Sequence, residues 1–209
     1  MGAADSSSWW SATQCFARTA ASMSMVGAIV GLGDRHLENV LLDLKTGTLV
    51  HVDYNICFEK GKALRVPETV PFRLTKNIVA ALGPTGLDGS FRATCVDVLT
   101  ALRSAKGRRL ITAMAETLER DVLIEWELFG AGTAEETASR VVNTIRRKLN
   151  GLEGGRLEAM SPGEQVGIIA KATTSPGRLP RRRGDAPEQF GADVRGLVRL
   201  GVERRVDLR

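Results

Sequence analysis

The sequence has few of the residues that build disulfide frameworks or zinc sites. Three of its 209 residues are cysteines and two are histidines. Cys15, Cys57 and Cys95 are widely separated and form no C-x-x-C pair, so neither a zinc site nor a disulfide framework is predicted. Free thiols fit a reducing compartment, and we expect a cytoplasmic protein with the nucleus as a second location.

Long hydrophobic runs and a basic body are lacking as well. The longest apolar run near the start, residues 25–32, is too short to span a bilayer, so no membrane association is expected. The net charge is +5, but residues 176–209 carry nine arginines against five acidic residues and account for +4 of it. The remainder has no basic bias, which argues against DNA binding. Scattered arginines in the tail, without interleaved aromatic residues, indicate RNA association only weakly.

What the sequence does contain is helical periodicity with one small hairpin. We predict strands at 40–44 and 49–52, joined by a turn in which Gly47 supplies a positive φ. Ser90 is predicted to cap a helix, and Thr133 with Glu136 forms the pattern of a capping box. The region 55–70 lacks periodicity and is predicted to be a loop. The predicted helices are 9–32, 75–82, 90–102, 109–129, 133–149 and 161–171.

One segment carries the residue types that phosphoryl transfer from ATP requires. That chemistry needs a carboxylate to orient the attacking hydroxyl and oxygen ligands for Mg²⁺. Asp34 and Asn39 are five residues apart, as are the Asp and Asn of a protein-kinase catalytic loop. The predicted hairpin then returns the chain so that Asp53 faces Asn39. Two protein oxygens with phosphate oxygens suit Mg²⁺, which keeps several waters.

Each of these residues also has a purely structural interpretation. Asp34 taken alone caps a turn, Asn39 satisfies backbone amides, and His36 is a core histidine. The combination with the hairpin and Asp53 favours the catalytic interpretation, because chance does not explain groups that recur at kinase spacing.

The order of the catalytic triplet is unusual. Common protein kinases have His-Arg-Asp before the Asn, whereas this chain has Asp-Arg-His. That order and the surrounding sequence motifs resemble the phosphatidylinositol-3-kinase-related protein kinases. Within that family they are most similar to the branch that acts in nonsense-mediated mRNA decay, where Asp-Tyr-Asn replaces Asp-Phe-Gly. The motifs that follow in the same order as in the family are Trp9-Trp10, Ser24-Met25-Val26-Gly27, Gly31-Leu32-Gly33-Asp34-Arg35-His36, His51-Val52-Asp53-Tyr54-Asn55, Phe58-Glu59-Lys60-Gly61-Lys62, Leu64-Arg65-Val66-Pro67-Glu68 and Val70-Pro71-Phe72-Arg73-Leu74-Thr75.

The resemblance implies roles for five residues. Asp34 would be the catalytic aspartate beside the substrate hydroxyl, and His36 would stabilise the transferring phosphoryl group. Asn39 and Asp53 would hold Mg²⁺ or Mn²⁺ beside ATP. His51 is a candidate contact near the nucleotide phosphates, with packing inside the hairpin as the alternative. Arg35 would brace the loop rather than contact substrate.

The resemblance also implies the substrate. Residues 55–75 would be the activation segment, and the family's protein substrates are Ser or Thr followed by Gln. Lys60, Lys62 and Arg65 in this segment are candidate substrate contacts. They could instead attract an anionic lipid headgroup, which keeps a phosphoinositide kinase as an alternative, or be simply solvated. Accessory subunits of a large kinase complex are expected partners.

Two departures from the family pattern shape the predicted domain organisation. No Gly-rich loop or lysine-bearing strand precedes the first helix, so we expect an α+β kinase-like C-lobe, mostly helical with a small hairpin, without the N-lobe and weak in ATP binding by itself. An inactive fragment acting as an interaction module is therefore a further alternative. We expect the C-lobe at 1–130, a helical connector at 131–160, a partial FATC-like segment at 161–179 and a basic, disordered tail at 180–209.

Overall fold

The computed structural model describes residues 5–119, 133–153 and 155–174, with no side-chain description for 118, 119 and 134. Within these ranges the chain is mostly helical with one two-stranded antiparallel sheet, as predicted. No helix among the described residues has the length and apolarity needed to cross a membrane. The elements are α1 Ser6–Val30, β1 Val40–Leu42, β2 Leu49–His51, α2 Lys76–Ala81, α3 Ser90–Arg103, α4 Ala105–Glu119, α5 Ala134–Leu149 and α6 Pro162–Thr174, with 3₁₀ turns at Leu37–Asn39, Lys60–Ala63 and Gly86–Asp88.

Helix α1 is the longest helix among the described residues and starts earlier than its apolar pattern predicts. Asp5 is the N-cap, and its side chain accepts a hydrogen bond from the Ser8 amide at 2.6 Å. A carboxylate at this position satisfies an otherwise orphaned amide, which draws the polar residues 6–8 into the helix. The helix ends at Gly31, whose φ of 65° is left-handed and favours glycine.

The hairpin lies against α1. Val40 pairs with His51 and Leu42 with Leu49, and Leu49 is buried. The predicted turn is confirmed, since Gly47 has a φ of 77°. A Cβ at Gly47 would also lie 2.2 Å from the Ala12 carbonyl oxygen, so glycine is needed for space as well as for conformation.

Helix α3 packs along α1 through side chains that are almost fully buried: Phe91, Cys95 and Leu99. The prediction that Ser90 caps this helix is wrong, because Gly89 is the N-cap and Ser90 is the first helical residue. The Ser90 hydroxyl instead donates a hydrogen bond to Gln14 Oε1 on α1. The hydroxyl that would have formed a local cap is therefore engaged in a tertiary hydrogen bond instead.

Helices α4 and α5 pack against each other next to α3. The predicted capping box of α5 is confirmed: the Thr133 side chain accepts from the Glu136 amide, and Glu136 accepts from the Thr133 amide. Helix α4 begins at Ala105, four residues before its predicted start, because the Ser104 hydroxyl accepts from the Gly107 amide. The predicted continuation of this helix to residue 129 lies outside the described residues.

Helix α6 docks on α3 through a buried polar hub. Gln165 has no exposed surface, yet its amide is satisfied: Oε1 accepts from Arg103 at 3.0 Å, and Nε2 donates to the Lys148 carbonyl at 3.0 Å. Arg103 also donates to the Met160 carbonyl at 2.6 Å. The helix runs three residues beyond its predicted end at Lys171. Residues 175–179 of the FATC-like segment and the predicted disordered tail lie outside the described residues.

Candidate active site

The loop from 33 to 39 leaves the end of α1 and enters the hairpin. Gly31 ends the helix, and the Gly33 amide then donates to the Ile56 carbonyl at 2.7 Å. His36 caps the 3₁₀ turn that leads into β1. The start of this loop is thereby held against the segment that follows the hairpin.

Arg35 is the centre of this arrangement. Its side chain is buried, with the residue 6% exposed, and its guanidinium donates to backbone carbonyls. Nε donates to Gly33 at 2.7 Å, and Nη1 donates to Val52 at 2.6 Å. Nη2 donates to the carbonyl of Asp53, and Nη1 lies 3.4 Å from that of Asn39. These are the contacts that a bracing role requires, and they bring both predicted metal-ligating residues to one guanidinium.

Asp34 and His36 lie side by side at the surface. His36 Nε2 is 3.7 Å from Asp34 Oδ2, and both side chains are 39% exposed. His36 Nδ1 accepts a hydrogen bond from the Glu38 amide at 3.2 Å. A neutral ring that accepts at Nδ1 carries its proton on Nε2, so the donor atom faces the Asp34 carboxylate.

Asn39 and Asp53 present oxygen atoms of different kinds. The buried Asn39 amide donates through Nδ2 to the Asp34 carbonyl at 2.9 Å, which leaves Oδ1 as its ligand atom. Asp53 is exposed and has a φ of 57°; its Oδ1 accepts from the Asn55 amide at 3.1 Å. An amide oxygen and a carboxylate are hard ligands of the type that Mg²⁺ or Mn²⁺ prefers.

The remaining ligands for such an ion must come from elsewhere. Among the described residues, no group of three His, Cys, Asp or Glu side chains converges on a common point. A pair of protein oxygens that shares its cation with nucleotide phosphates and water is the pattern expected for Mg²⁺ in phosphotransferases. The residues present therefore fit a metal bound together with a nucleotide.

His51 lies at the end of β2 and is neutral near pH 7. Burial lowers its pKa to about 4, with the positive charge of Arg35 as the second cause. Nδ1 is buried, and no group in the described part of the chain forms a hydrogen bond with it. A contact with nucleotide phosphates would therefore be made by an uncharged imidazole, and this role stays a prediction.

The predicted activation-segment residues lie in or just after the 3₁₀ turn at Lys60–Ala63. Lys62 and Arg65 are exposed. Lys62 forms an ion pair with Glu59, which also pairs with Lys148 from α5. Burial by itself raises the pKa of Glu59, but the ammonium groups of Lys148 and Lys62 outweigh it and hold that pKa below its usual range. The charge of Lys62 is thus partly neutralised within the protein.

Glu68 is a site residue that the sequence patterns do not predict. Its two carboxylate oxygens accept the Asp34 backbone N–H at 2.9 and 2.8 Å. It lies in an aperiodic loop 34 positions from its partner, so spacing carries no signal for it. Tyr54 also went unpredicted as a contact; its ring centroid is 5.8 Å from the Arg35 guanidinium carbon.

The comparisons with known proteins agree on one family. The family model described as "Phosphatidylinositol 3- and 4-kinase" matches residues 2–128. The solved structure "FAT and kinase domain of CtTel1" matches with a TM-score of 0.70 and 36% identity, covering 81% of this chain and 12% of that one. The same fold therefore occurs inside a kinase domain of known structure.

The curated relatives are serine/threonine-protein kinases. Smg-1 of Caenorhabditis briggsae is 55% identical over 126 residues, which is 60% of this chain and 5% of that protein. SMG1 of Danio rerio is 56% identical over 124 residues, which is 59% of this chain and 3% of that protein. MEC1 of Candida albicans is 43% identical over 175 residues, which is 84% of this chain and 7% of that protein.

The chain thus spans a small fraction of the length of each of these relatives. The part that the family model matches covers the Asp-Arg-His loop, the hairpin and the segment after it. The chain belongs to the phosphatidylinositol 3- and 4-kinase family and, within it, to the phosphatidylinositol-3-kinase-related protein kinases.

Proposed function

We propose that this chain is the C-terminal lobe of a serine/threonine protein kinase that transfers the γ-phosphoryl group of ATP to protein hydroxyls in nonsense-mediated mRNA decay. The observation that carries the proposal is the Arg35 brace. One guanidinium binds the backbone of Asn39, Val52 and Asp53 while its own residue lies between Asp34 and His36. The residues that need to share one nucleotide are thereby tied together.

In the proposed reaction, the hydroxyl oxygen of the substrate forms a bond to the γ-phosphorus while the bond to the β–γ bridging oxygen breaks and ADP leaves. The Asp34 carboxylate orients the hydroxyl and accepts its proton. The Nε2–H of His36, 3.7 Å from that carboxylate, donates to the oxygens of the transferring group. Both side chains are partly exposed, as groups that meet a protein substrate must be.

Asn39 and Asp53 would hold Mg²⁺ or Mn²⁺ through Oδ1 and the carboxylate. When bound, the ion neutralises the charge that develops on the nucleotide phosphates. The Asn39 amide is oriented before any ligand arrives, because its Nδ2 is already engaged with the Asp34 carbonyl. Such preorganisation lowers the reorganisation that binding requires.

The substrate is proposed to be a protein with Ser-Gln or Thr-Gln sites, docked along residues 55–75. Lys60, Lys62 and Arg65 would contribute to that surface, and accessory subunits would direct the enzyme, mainly in the cytoplasm. The pairing of Lys62 with Glu59 weighs against a cluster of free cations for a lipid headgroup. The strong similarity to serine/threonine-protein kinases supports the same choice.

The test is a kinase assay on the full-length protein that contains this lobe. We expect phosphate transfer to a Ser-Gln peptide that exceeds transfer to a Ser-Ala peptide and to phosphatidylinositol vesicles. Asp34→Asn and Asp53→Ala should each lower kcat by about 10³-fold or more, since general-base orientation and metal binding are both lost.

Glu135→Ala, an exposed glutamate in the first turn of α5, is the matched control. Lipid phosphorylation in place of peptide phosphorylation would favour the phosphoinositide-kinase alternative. Full activity of Asp53→Ala would refute a phosphotransferase site at these residues, and the interaction-module alternative would then replace it.

A further inference from the structure

We propose that Glu68 is a positioning residue for phosphoryl transfer, which acts by holding the backbone of the catalytic aspartate. The proposal rests on the function proposed above, because it assigns Glu68 a role through Asp34. It adds a residue from the activation segment to the parts that place Asp34.

In this contact both carboxylate oxygens of Glu68 accept from one backbone N–H, that of Asp34. Glu68 Oε1 lies 2.9 Å and Oε2 2.8 Å from the Asp34 amide nitrogen. A hydrogen bond to an ionised carboxylate is roughly twice as strong as one between neutral groups. The single N–H is therefore shared between both oxygens of one carboxylate, which restricts movement of the peptide unit that carries Asp34.

Two glycines form the space that Glu68 occupies. A Cβ at Gly33 would lie 2.5 Å from Glu68 Oε2, and a Cβ at Gly61 would lie 2.4 Å from the same atom. Both glycines are buried, and neither has a positive φ. At both positions glycine thus leaves the space that the carboxylate occupies, and a side chain there would displace the carboxylate; backbone conformation does not call for glycine. The carboxylate lies in a slot built from both the catalytic loop and the 3₁₀ turn.

The backbone of Asp34 needs this support. Its φ of 56° is in the left-handed region, which side chains with a Cβ seldom occupy. Such conformations persist only where the surroundings enforce them. An amide fixed by a carboxylate gives that enforcement at the residue whose side chain must face the substrate hydroxyl.

The backbone of Glu68 is also held by a hydrogen bond. The backbone N–H of Glu68 donates to the Gly61 carbonyl at 2.9 Å. This bond joins the two ends of the segment 61–68 and so fixes the position of the Glu68 backbone. Any displacement of this segment therefore moves the carboxylate and releases the Asp34 amide. The order of the activation segment and the position of the catalytic aspartate are coupled through one side chain.

The first test measures the hydrogen bond directly. Amide hydrogen exchange by NMR on the 209-residue chain should show Asp34 protected in the wild type. Glu68→Ala should accelerate exchange at Asp34 by about tenfold or more, with little change at amides in the middle of α1 and α3. Gly61→Ala should do the same although Glu68 is retained, because the added methyl displaces the carboxylate.

The second test measures catalysis in the full-length kinase. Glu68→Ala and Gly61→Ala should each lower kcat by about 10- to 100-fold, since small misplacements of a reacting group carry penalties of that size. The KM for ATP should stay within about twofold, because the metal-binding side chains are untouched. Glu68→Gln, which keeps an acceptor oxygen, should recover part of the lost kcat.

The double variant decides whether the glycine acts through the glutamate. If it does, Gly61→Ala should add almost nothing to the loss in Glu68→Ala, whereas independent effects would multiply. Glu135→Ala and Gly163→Ala serve as controls, since Gly163 has open space around its Cα and lies in α6.

Unchanged Asp34 exchange, or unchanged kcat in both single variants, overturns the proposal if Asp34→Asn is inactive in the same assay. Activity retained by Asp34→Asn would instead overturn the proposed function itself. If Glu68→Ala does not fold, Gly61→Ala gives the same readouts, and Glu68→Gln should show smaller changes in the same direction.

Discussion

The most deeply buried side chains of α3 are apolar, whereas the contacts that hold the 33–39 loop are mostly hydrogen bonds to backbone. Cys95 and Leu99 have no exposed surface, and burial raises the pKa of the Cys95 thiol to about 12, so that group stays neutral. Arg35 is buried almost as deeply but donates to carbonyls of four residues in the loop and hairpin. The helical body is thus stabilised mainly by burial of apolar surface, and the loop mainly by directional hydrogen bonds.

The difference has a physical reason. Apolar packing tolerates small shifts in geometry, since its energy follows buried area. Hydrogen bonds weaken steeply with distance and angle, so a loop held by them has one well-defined conformation. A site that must hold Asp34 in an unfavourable left-handed conformation needs the second kind of support.

The largest effect on stability should come from the helical body. Leu99→Ala removes a fully buried side chain and should lower the free energy of unfolding by about 2–5 kcal/mol, as the cavity cannot fully collapse. Urea unfolding followed by circular dichroism measures it. Leu157→Ala, at a leucine that is 91% exposed, is the control and should change little. Equal losses in the two variants would contradict the assignment of α3 to the core.

A substitution in the loop should affect order more than global stability. Arg35→Lys keeps the charge but loses the planar fork, so the carbonyls of Val52 and Asp53 cannot both be satisfied. We expect a loss of about 1–3 kcal/mol and faster exchange at the Asp34 amide. Arg92→Lys, on the exposed face of α3, should alter neither. An Arg35→Lys protein with wild-type exchange at Asp34 would show that the brace is dispensable.

The two regions also differ in how far the sequence predicts them. The helices and the hairpin follow from periodicity, from Gly47 and from the Thr133–Glu136 capping box, because each signal is local. Two helices begin earlier than predicted because the local caps at Asp5 and Ser104 were not recognised. Ser90 is wrong for another reason, since it bonds to Gln14 on another helix instead of capping its own.

The candidate site also has residues that the sequence predicts and one that it does not. The spacing of Asp34, Asn39 and Asp53 is visible in the sequence, and the family resemblance implies the roles proposed for them. Glu68 could not be found in this way, since its partner is 34 residues distant and the slot between two glycines exists only after folding.

A third prediction uses pH to compare the hairpin with the helices. The pKa of His51 lies near 4 when folded and near 6.5 when unfolded, so the unfolded chain binds a proton first as pH falls. Stability due to the neutral His51 is fully present above pH 6.5 and is lost between pH 6.5 and 4. Since the ring is only partly buried, we expect a loss of roughly 1–2 kcal/mol from this group.

Urea unfolding at pH 7.5, 6 and 5 measures that slope. His51→Leu removes the titrating group, so its stability should fall less than that of the wild type over this interval. Parallel curves for the two proteins would mean that His51 is solvated and does not contribute. Below about pH 4.5 a further loss is expected as Glu59, whose folded pKa is lowered, takes up its proton and releases Lys148 and Lys62.

The smallest effect should come from the start of α5, far along that helix from its contact with the loop. Thr133→Ala removes the hydroxyl that accepts from the Glu136 amide and should cost about 1 kcal/mol in urea unfolding. Thr117→Ala, inside α4 where the hydroxyl only bonds back to the Ala113 carbonyl, should be neutral or slightly stabilising, since alanine has the higher helix propensity. Because Lys148 at the other end of α5 pairs with Glu59, fraying of the first turn should leave that pair intact and leave exchange at Asp34 unchanged. Faster exchange at Asp34 in Thr133→Ala would show instead that the helical body and the 33–39 loop are coupled through α5.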